Sequence, residues 1–221
     1  GLEIAWCRTR NWHPDRCREF ERRALAIADR SYALVERAEF TLPEWAEQEK
    51  SWYDPHTLRE ISAMWTLIGD EAERDKDFSR MMLGVLSSVV VRLSKQISDS
   101  DVKVDLYHRP KPRHAALRTY RERIPELVSG LLQLSSDLYK RKVEVKEPRL
   151  EIGDARSINL EGSVDLILTS PPYAGVYDYS KHQDRRYPLY GTDGRQAEVK
   201  EIGSRFAAGV NYKEDMALVL K

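Results

Sequence analysis

The sequence predicts an α/β protein in which a large, mainly helical region, residues 1–145, precedes part of a parallel sheet, residues 146–221. Two observations predict this division. In the first region, apolar residues recur at the spacing of one helix face in four separate stretches. In the second region, the pattern changes to short apolar runs bounded by turn residues, which is typical of strands buried on both faces of a parallel sheet.

Prolines mark three of the four helices. Pro14 suits the first turn of a helix, and the apolar residues after it fall on one face. Asp54 and Pro55 are a favourable N-cap and first position for the second helix. Pro125 lies inside the fourth helix and is expected to kink or restart it. The predicted helices are 14–38, a second that begins at Pro55, 75–97 and about 113–141. Residues expected in their core include Trp65, Phe78, Met81 and Met82.

Two strands are predicted in the second region. The first is short, residues 150–152, and is followed by Gly-Asp. The second is the apolar run VDLIL, residues 164–168, which is followed by Thr-Ser. Both are expected to be buried, because helices cover both faces of an open parallel sheet.

Composition excludes several classes of protein. Lys and Arg together number 36, as do Asp and Glu, so the formal net charge is zero and any nucleic-acid surface must be a local patch. The two cysteines, Cys7 and Cys17, fit neither a zinc pattern nor a secreted disulfide scaffold. The most apolar run, residues 81–91, is too short to span a bilayer. We therefore predict a cytoplasmic protein with no metal and no membrane partner.

The second predicted strand is followed by Ser170-Pro171-Pro172-Tyr173, at the end of a strand where open α/β sheets bind ligands. Two prolines fix φ and remove two backbone donors, and each residue before a proline avoids the helical region. The loop therefore presents free carbonyl acceptors beside the Ser170 hydroxyl and the Tyr173 ring. This combination suits a flat heteroaromatic ring with an exocyclic amino group, because the oxygens bind its N–H groups while the ring stacks on the tyrosine.

These residues resemble a known family. "TSPPY" after an apolar strand resembles the catalytic motif of S-adenosylmethionine-dependent DNA amino-methyltransferases, and the Ser form is typical of the cytosine-N4 branch. "SPPYAGVYDY" with "EIGSR" at 201–205 also resembles a bacterial set of DNA modification methylases, in which a helical region with a "WYDP" start precedes the motif. The resemblance implies a partial Rossmann-like methyltransferase sheet, S-adenosylmethionine as cofactor, duplex DNA as partner and a role in DNA methylation or restriction–modification.

The resemblance also implies a role for each motif residue. Ser170 and the carbonyl of Pro171 would hold the target amine, Pro172 would stiffen the loop, and Tyr173 would stack on the flipped base. Flipping is required because an amine inside a stacked duplex cannot be reached in line with a methyl donor. Methyl transfer would then be direct, without a covalent nucleophile. Tyr177 would wall the base pocket, although packing within the loop is the more ordinary role for it.

The cofactor half of the site is less complete. By resemblance, Asp154 in "GDAR" would accept a hydrogen bond from the cofactor adenine, with Ala155 packing nearby; as a plain turn, the same residues need no ligand. The family's glycine-rich cofactor loop is absent, since no two of the eleven glycines lie two residues apart. We therefore expect that this loop lies outside the chain, in a missing segment or in another chain that completes the site.

A cationic run lies at residues 107–123, where six Arg or Lys and two His stand against one Glu. It predicts a surface for the phosphate backbone of DNA, because each phosphate contact adds salt-dependent affinity. The alternative is a solvated helix face with snorkelling arginines. The residues predicted to contact nucleic acid are Tyr177 of the loop after the motif and, in this run, Arg109, Lys111, Arg113, Arg118 and Arg121.

Four other interpretations stay open. The same loop occurs on RNA amino-methyltransferases, so the substrate could be RNA, and adenine N6 could replace cytosine N4. Without the glycine-rich loop, the chain could also be a catalytically inactive relative that binds nucleic acid. Finally, Ser-Pro-Pro is common in plain turns.

Overall fold

The computed structural model of the protein describes residues 2–37, 40–151, 153–158, 162, 165–170, 173, 179–194, 201–202 and 212–219. Its longer elements are α1 (Leu2–Arg8), α2 (Pro14–Val35), α3 (Glu44–Gln48), α4 (Pro55–Glu71), α5 (Lys76–Leu93), β1 (Gln96–Ser98), β2 (Asp101–Val104), α6 (Ala115–Lys140) and α7 (Tyr212–Val219). Short 3₁₀ turns lie at Lys50–Trp52, Ala155–Ser157, Lys181–Gln183 and Tyr187–Tyr190.

Four helices, α2, α4, α5 and α6, pack together as the helical body of the protein. Each buries the apolar face that its spacing predicts, and the predicted core residues Phe78, Met81 and Met82 are fully buried. Trp12, Phe20 and Phe78 form a cluster of rings at edge or tilted angles, 5.3–5.6 Å between centroids. The four predicted helices are therefore confirmed, with their ends moved by a few residues.

The predicted end of the third helix and the predicted restart of the fourth at Pro125 are wrong, while the predicted kink at Pro125 stays a prediction. The third helix ends at Leu93 rather than at residue 97, because the Ser94 hydroxyl donates to the carbonyl of Val91 and accepts from the N–H of Gln96. Ile97 is consequently half-exposed in β1. In addition, α6 runs through Pro125 without a new start. Pro125 is exposed, so water can bond the carbonyl that the proline leaves without its helical donor.

The predicted strands are absent from the described residues. Leu150 and residues 165–170 belong to no helix or strand, and Leu166, Ile167 and Leu168 are 81%, 71% and 92% exposed. The sheet that the structure describes is the antiparallel β1–β2 hairpin. An apolar run becomes a buried strand only where neighbouring strands bond its backbone and helices cover its faces. The described residues supply neither around residues 165–170, and the α/β sheet of the second region stays a prediction.

Both cysteines are buried and carry free thiols. Burial raises the pKa of Cys7 to about 11, so its thiol is an inert part of the core. In the described part of the chain, no helix is both long and apolar enough to cross a membrane.

Candidate functional site

The described members of the Pro-Pro motif lie at the surface. Ser170 is exposed, and Tyr173 exposes 58% of its surface. Pro171, Pro172 and Tyr177 lie outside the described residues, so their roles stay predictions. Neither Ser170 nor Tyr173 is used in the core, and both are accessible to a substrate.

The chain is fixed to the helical body shortly after this motif, through an anchor segment, residues 179–191. Leu189 of this segment is only 3% exposed and belongs to the hydrophobic core. Its carbonyl accepts a hydrogen bond of 2.8 Å from the indole N–H of Trp65 on α4. Trp65 therefore has a structural partner that its position in the predicted helix did not indicate.

A buried ion pair holds the middle of the anchor segment. Arg185 Nη1 lies 2.5 Å from Glu49 Oε2, and both side chains are about nine-tenths buried. The guanidinium also lies over the ring of Trp52, 4.0 Å from its centroid. Burial raises the pKa of Glu49, because desolvation outweighs the attraction of Arg185.

The next residue, Arg186, ties the same segment to α5 and to the β1–β2 turn. Its Nε donates to the carbonyl of Ser87 at 3.2 Å, and its Nη2 lies 2.5 Å from Asp99 Oδ1. Its Nη1 donates to the carbonyl of His182 within the segment. These arginines join residues about 90 to 140 positions apart, and nothing in the sequence pattern pairs them.

Glu201, in the "EIGSR" stretch, holds the start of the anchor segment. Its Oε1 accepts from the N–H of Tyr179, and its Oε2 accepts from both the N–H and the hydroxyl of Ser180, at 3.0 and 2.5 Å. Ser180 is buried. The resemblance includes the "EIGSR" stretch but predicts no role for Glu201.

The predicted cofactor residue Asp154 forms hydrogen bonds with the nearby Arg156. Its carboxylate accepts from the backbone N–H of Arg156 and from both Nε and Nη2 of the Arg156 guanidinium, at 2.7–3.2 Å. Arg156 Nη1 also reaches Asp215 on α7 at 3.0 Å. Both Asp154 oxygens thus accept hydrogen bonds from Arg156, and the role of Asp154 toward a cofactor adenine stays a prediction. The Asp154 side chain keeps 38% of its surface accessible, and Ala155 is exposed beside it.

The cationic run is shaped by buried acids at the start of α4. Asp54 is the N-cap residue of α4 as predicted, but its carboxylate accepts from the N–H of Lys111 at 2.8 Å and lies 3.1 Å from Nε2 of His108. Glu60, which is 2% exposed, accepts from the N–H of His114 and of Ala116, at 2.6 and 2.9 Å. Asp54 and Glu60 therefore fix the backbone of the run and the N-terminus of α6.

We expect acid to weaken this arrangement through Asp54. Burial alone would raise the pKa of Asp54, but the Lys111 N–H and His108 together hold it below its usual range. Since the folded pKa lies below the unfolded value of about 3.9, ionised Asp54 stabilises the fold above about pH 4, and the contribution is lost as pH falls through the folded pKa. Urea unfolding should show that Asp54→Asn costs more stability at about pH 6 than at about pH 3. Asp70→Asn is the control, because Asp70 is exposed and this variant should match wild type at both pH values. An equal cost of Asp54→Asn at the two pH values would contradict the expectation.

The five predicted nucleic-acid contacts of the cationic run differ in how far nearby acidic side chains neutralise their charge. Arg121 forms an ion pair with Asp29, and Arg113 Nη2 lies 3.6 Å from Glu36 Oε1. Within the described residues, Arg109, Lys111 and Arg118 have no ion-pair partner. Arg109 and Arg118 are exposed, and Lys111 is half-buried.

A cavity of about 370 Å³ lies beside the run, between α2 and α6. The half-exposed ring of Tyr32 packs on that of His114, with 4.7 Å between centroids, and both line the cavity. Arg118 and Arg121 line it too. The structure thus brings two predicted contact residues together with a tyrosine, Tyr32, that sequence reasoning did not select.

The described residues contain no group of three or more His, Cys, Asp or Glu placed to hold a metal ion. Comparison of the chain with protein-family models, with curated proteins and with solved structures finds no match in any of the three.

Proposed function

We propose that this chain takes part in methyl transfer from S-adenosylmethionine to the exocyclic amino group of a nucleic-acid base, with cytosine N4 of DNA as the favoured target. The observation that carries the proposal is the Ser170–Tyr173 motif, whose described residues are both accessible at the surface. The cofactor supplies an electrophilic methyl group. The chain's own residues are proposed to act on the amine.

The chemical difficulty lies in the amine, whose lone pair is delocalised into the base. The Ser170 oxygen and the carbonyl of Pro171 accept its two N–H bonds, which draws the nitrogen toward sp³ geometry and localises the lone pair. Tyr173 stacks on the flipped base and holds the amine in line with the methyl group. As the nitrogen–carbon bond forms and the sulfur–carbon bond breaks, the amine releases one proton to solvent.

The helical body is proposed to hold the phosphate backbone. Arg109, Lys111 and Arg118 support this role, because they have no ion-pair partner among the described residues and so keep their charge for a phosphate. Arg113 and Arg121 contribute less in this account, since Glu36 and Asp29 lie beside them.

Arg118 has no ion-pair partner among the described residues, whereas Arg121 pairs with Asp29, so the two arginines can be compared in a matched test. Arg118→Ala is expected to weaken DNA binding and to lower the slope of log K against log salt by about 1. Arg121→Ala, one turn further along α6, should change the slope less, because Asp29 already neutralises it. Fluorescence anisotropy titrations at several salt concentrations measure both. An unchanged slope for Arg118→Ala would remove it from the interface.

The methyl transfer itself is tested with the full-length gene product and labelled S-adenosylmethionine, on duplex DNA and on structured RNA. We expect label in DNA and a fall in kcat of about tenfold to a hundredfold for Tyr173→Ala. Tyr139→Ala is the control, because Tyr139 is an 86%-exposed tyrosine at the far end of α6. Label in RNA alone would change the substrate class, and label in neither, without cofactor binding by calorimetry, would mean an inactive relative.

A further inference from the structure

Glu201 forms an unusually complete set of contacts for a surface carboxylate. It accepts from two consecutive backbone N–H groups, those of Tyr179 and Ser180, and from the Ser180 hydroxyl. Hydrogen bonds to an ionised acceptor are about twice as strong as neutral ones, and three of them on adjacent residues fix both the position and the direction of the backbone.

What Glu201 holds is the junction between an exposed motif and an anchored segment. Downstream of Ser180, the chain is attached to the helical body by Arg185, Arg186 and Leu189. Upstream, Tyr173 is only six residues from Tyr179. Six residues span at most about 20 Å even when fully extended, so the fixed junction limits where the motif can lie.

We infer that Glu201 is a positioning residue for the Pro-Pro motif, and this inference rests on the proposed function. By fixing Tyr179 and Ser180, Glu201 sets the direction in which the chain leaves the helical body toward Tyr173 and Ser170. Because Tyr173 lies six residues before Tyr179, this junction keeps the acceptor oxygen of Ser170 and the ring of Tyr173 within a short reach of nucleic acid held on the same helical body. Glu201 itself touches neither the base nor the methyl group in this account.

The chemistry of the contact requires a carboxylate. A glutamine at 201 offers one oxygen and one NH₂ group, so whichever way it turns, the NH₂ faces a backbone N–H that has lost its acceptor. An aspartate keeps both oxygens and the charge but is shorter by one methylene, so it can restore the contact only after a small shift of the chain. Glu201→Gln and Glu201→Asp therefore separate the hydrogen-bonding role from simple occupancy of space.

The experiment compares these two variants with wild type in the full-length gene product. Amide hydrogen exchange at Tyr179 and Ser180 reports the contact directly, while methyl-transfer kinetics report its consequence. We expect Glu201→Gln to lose protection of the amide that faces its NH₂ group and to lower kcat by about tenfold to a hundredfold, with KM for DNA within about twofold of wild type and an unchanged thermal midpoint of the helical body. Glu201→Asp should recover part of kcat. Glu214→Gln is the matched control, because Glu214 is an exposed glutamate on α7.

The outcomes separate this inference from the function on which it rests. If wild type methylates DNA and Glu201→Gln does so at the same kcat, the positioning role is overturned while the proposed function stands. Free exchange of the Tyr179 and Ser180 amides in wild type also overturns it, because the contact is then absent in solution. If wild type transfers no methyl group to any nucleic acid, the proposed function is overturned and the role of Glu201 falls with it.

Discussion

Replacing Glu60 with alanine is expected to destabilise the helical body by about 3–5 kcal/mol. Glu60 is 2% exposed, and its two oxygens accept the N–H groups of His114 and Ala116 at the start of α6. Each hydrogen bond to a buried charge contributes about 1.5–3 kcal/mol, and a negative charge at a helix N-terminus adds to this. Alanine would leave both N–H groups without an acceptor, and the N–H of Ala116 is buried away from water.

Urea unfolding followed by tryptophan fluorescence measures the Glu60 effect. Glu60→Gln, which keeps one acceptor oxygen, should fall between wild type and Glu60→Ala. Glu73→Ala is the control, since Glu73 is exposed just after α4 and should change stability by no more than about 0.5 kcal/mol. A cost below about 1 kcal/mol for Glu60→Ala would show that the carboxylate does not cap α6.

Breaking the Glu49–Arg185 pair from one side should cost a similar amount, about 3–5 kcal/mol. Both side chains are nearly buried, and in the described part of the structure the Arg185 Nε already has no hydrogen-bond partner. Glu49→Leu would therefore leave a buried guanidinium over the Trp52 ring without its carboxylate partner. Removing both charges, as Glu49→Leu with Arg185→Leu, should recover much of the loss, because apolar replacement of a whole buried pair is often neutral.

A double-mutant cycle measures this coupling. The two single variants and the double variant are unfolded in urea, and the interaction energy is the departure from additivity. We expect the double variant to be more stable than either single variant. Simple additivity of the two costs would mean that the pair is not formed in solution and that the anchor segment is held by its other contacts.

The helical body could be predicted from the sequence because its signal is local. Apolar residues at helical spacing identify a face that must be buried, and Phe78, Met81 and Met82 are buried as that spacing predicts. A buried strand, in contrast, forms only with partners that lie elsewhere in the sequence. The run Leu166–Leu168 is as apolar as a buried strand, but it requires hydrogen-bonded neighbours from elsewhere, and periodicity alone cannot show whether they are present.

The candidate site was predictable to the extent that its residues are adjacent in sequence. The cationic run could be located, yet its neutralisation at Arg121 depends on Asp29, 92 residues away. The anchor segment depends on pairs more distant still, such as Glu49 with Arg185. The two adjacent arginines, Arg185 and Arg186, were a weak signal for the anchor segment. Their partners, however, could not be identified from the spacing of residues in the sequence.

The central claim is that the chain directs a methyl group to an exocyclic amine, and nucleoside mass spectrometry tests this most directly. DNA treated with the full-length gene product and S-adenosylmethionine is digested to nucleosides, and the position of the added methyl group is determined. The account predicts N4-methylcytosine, with the yield strongly reduced by Tyr173→Ala. A methyl group on a ring carbon, or no methylated nucleoside at all, would contradict it.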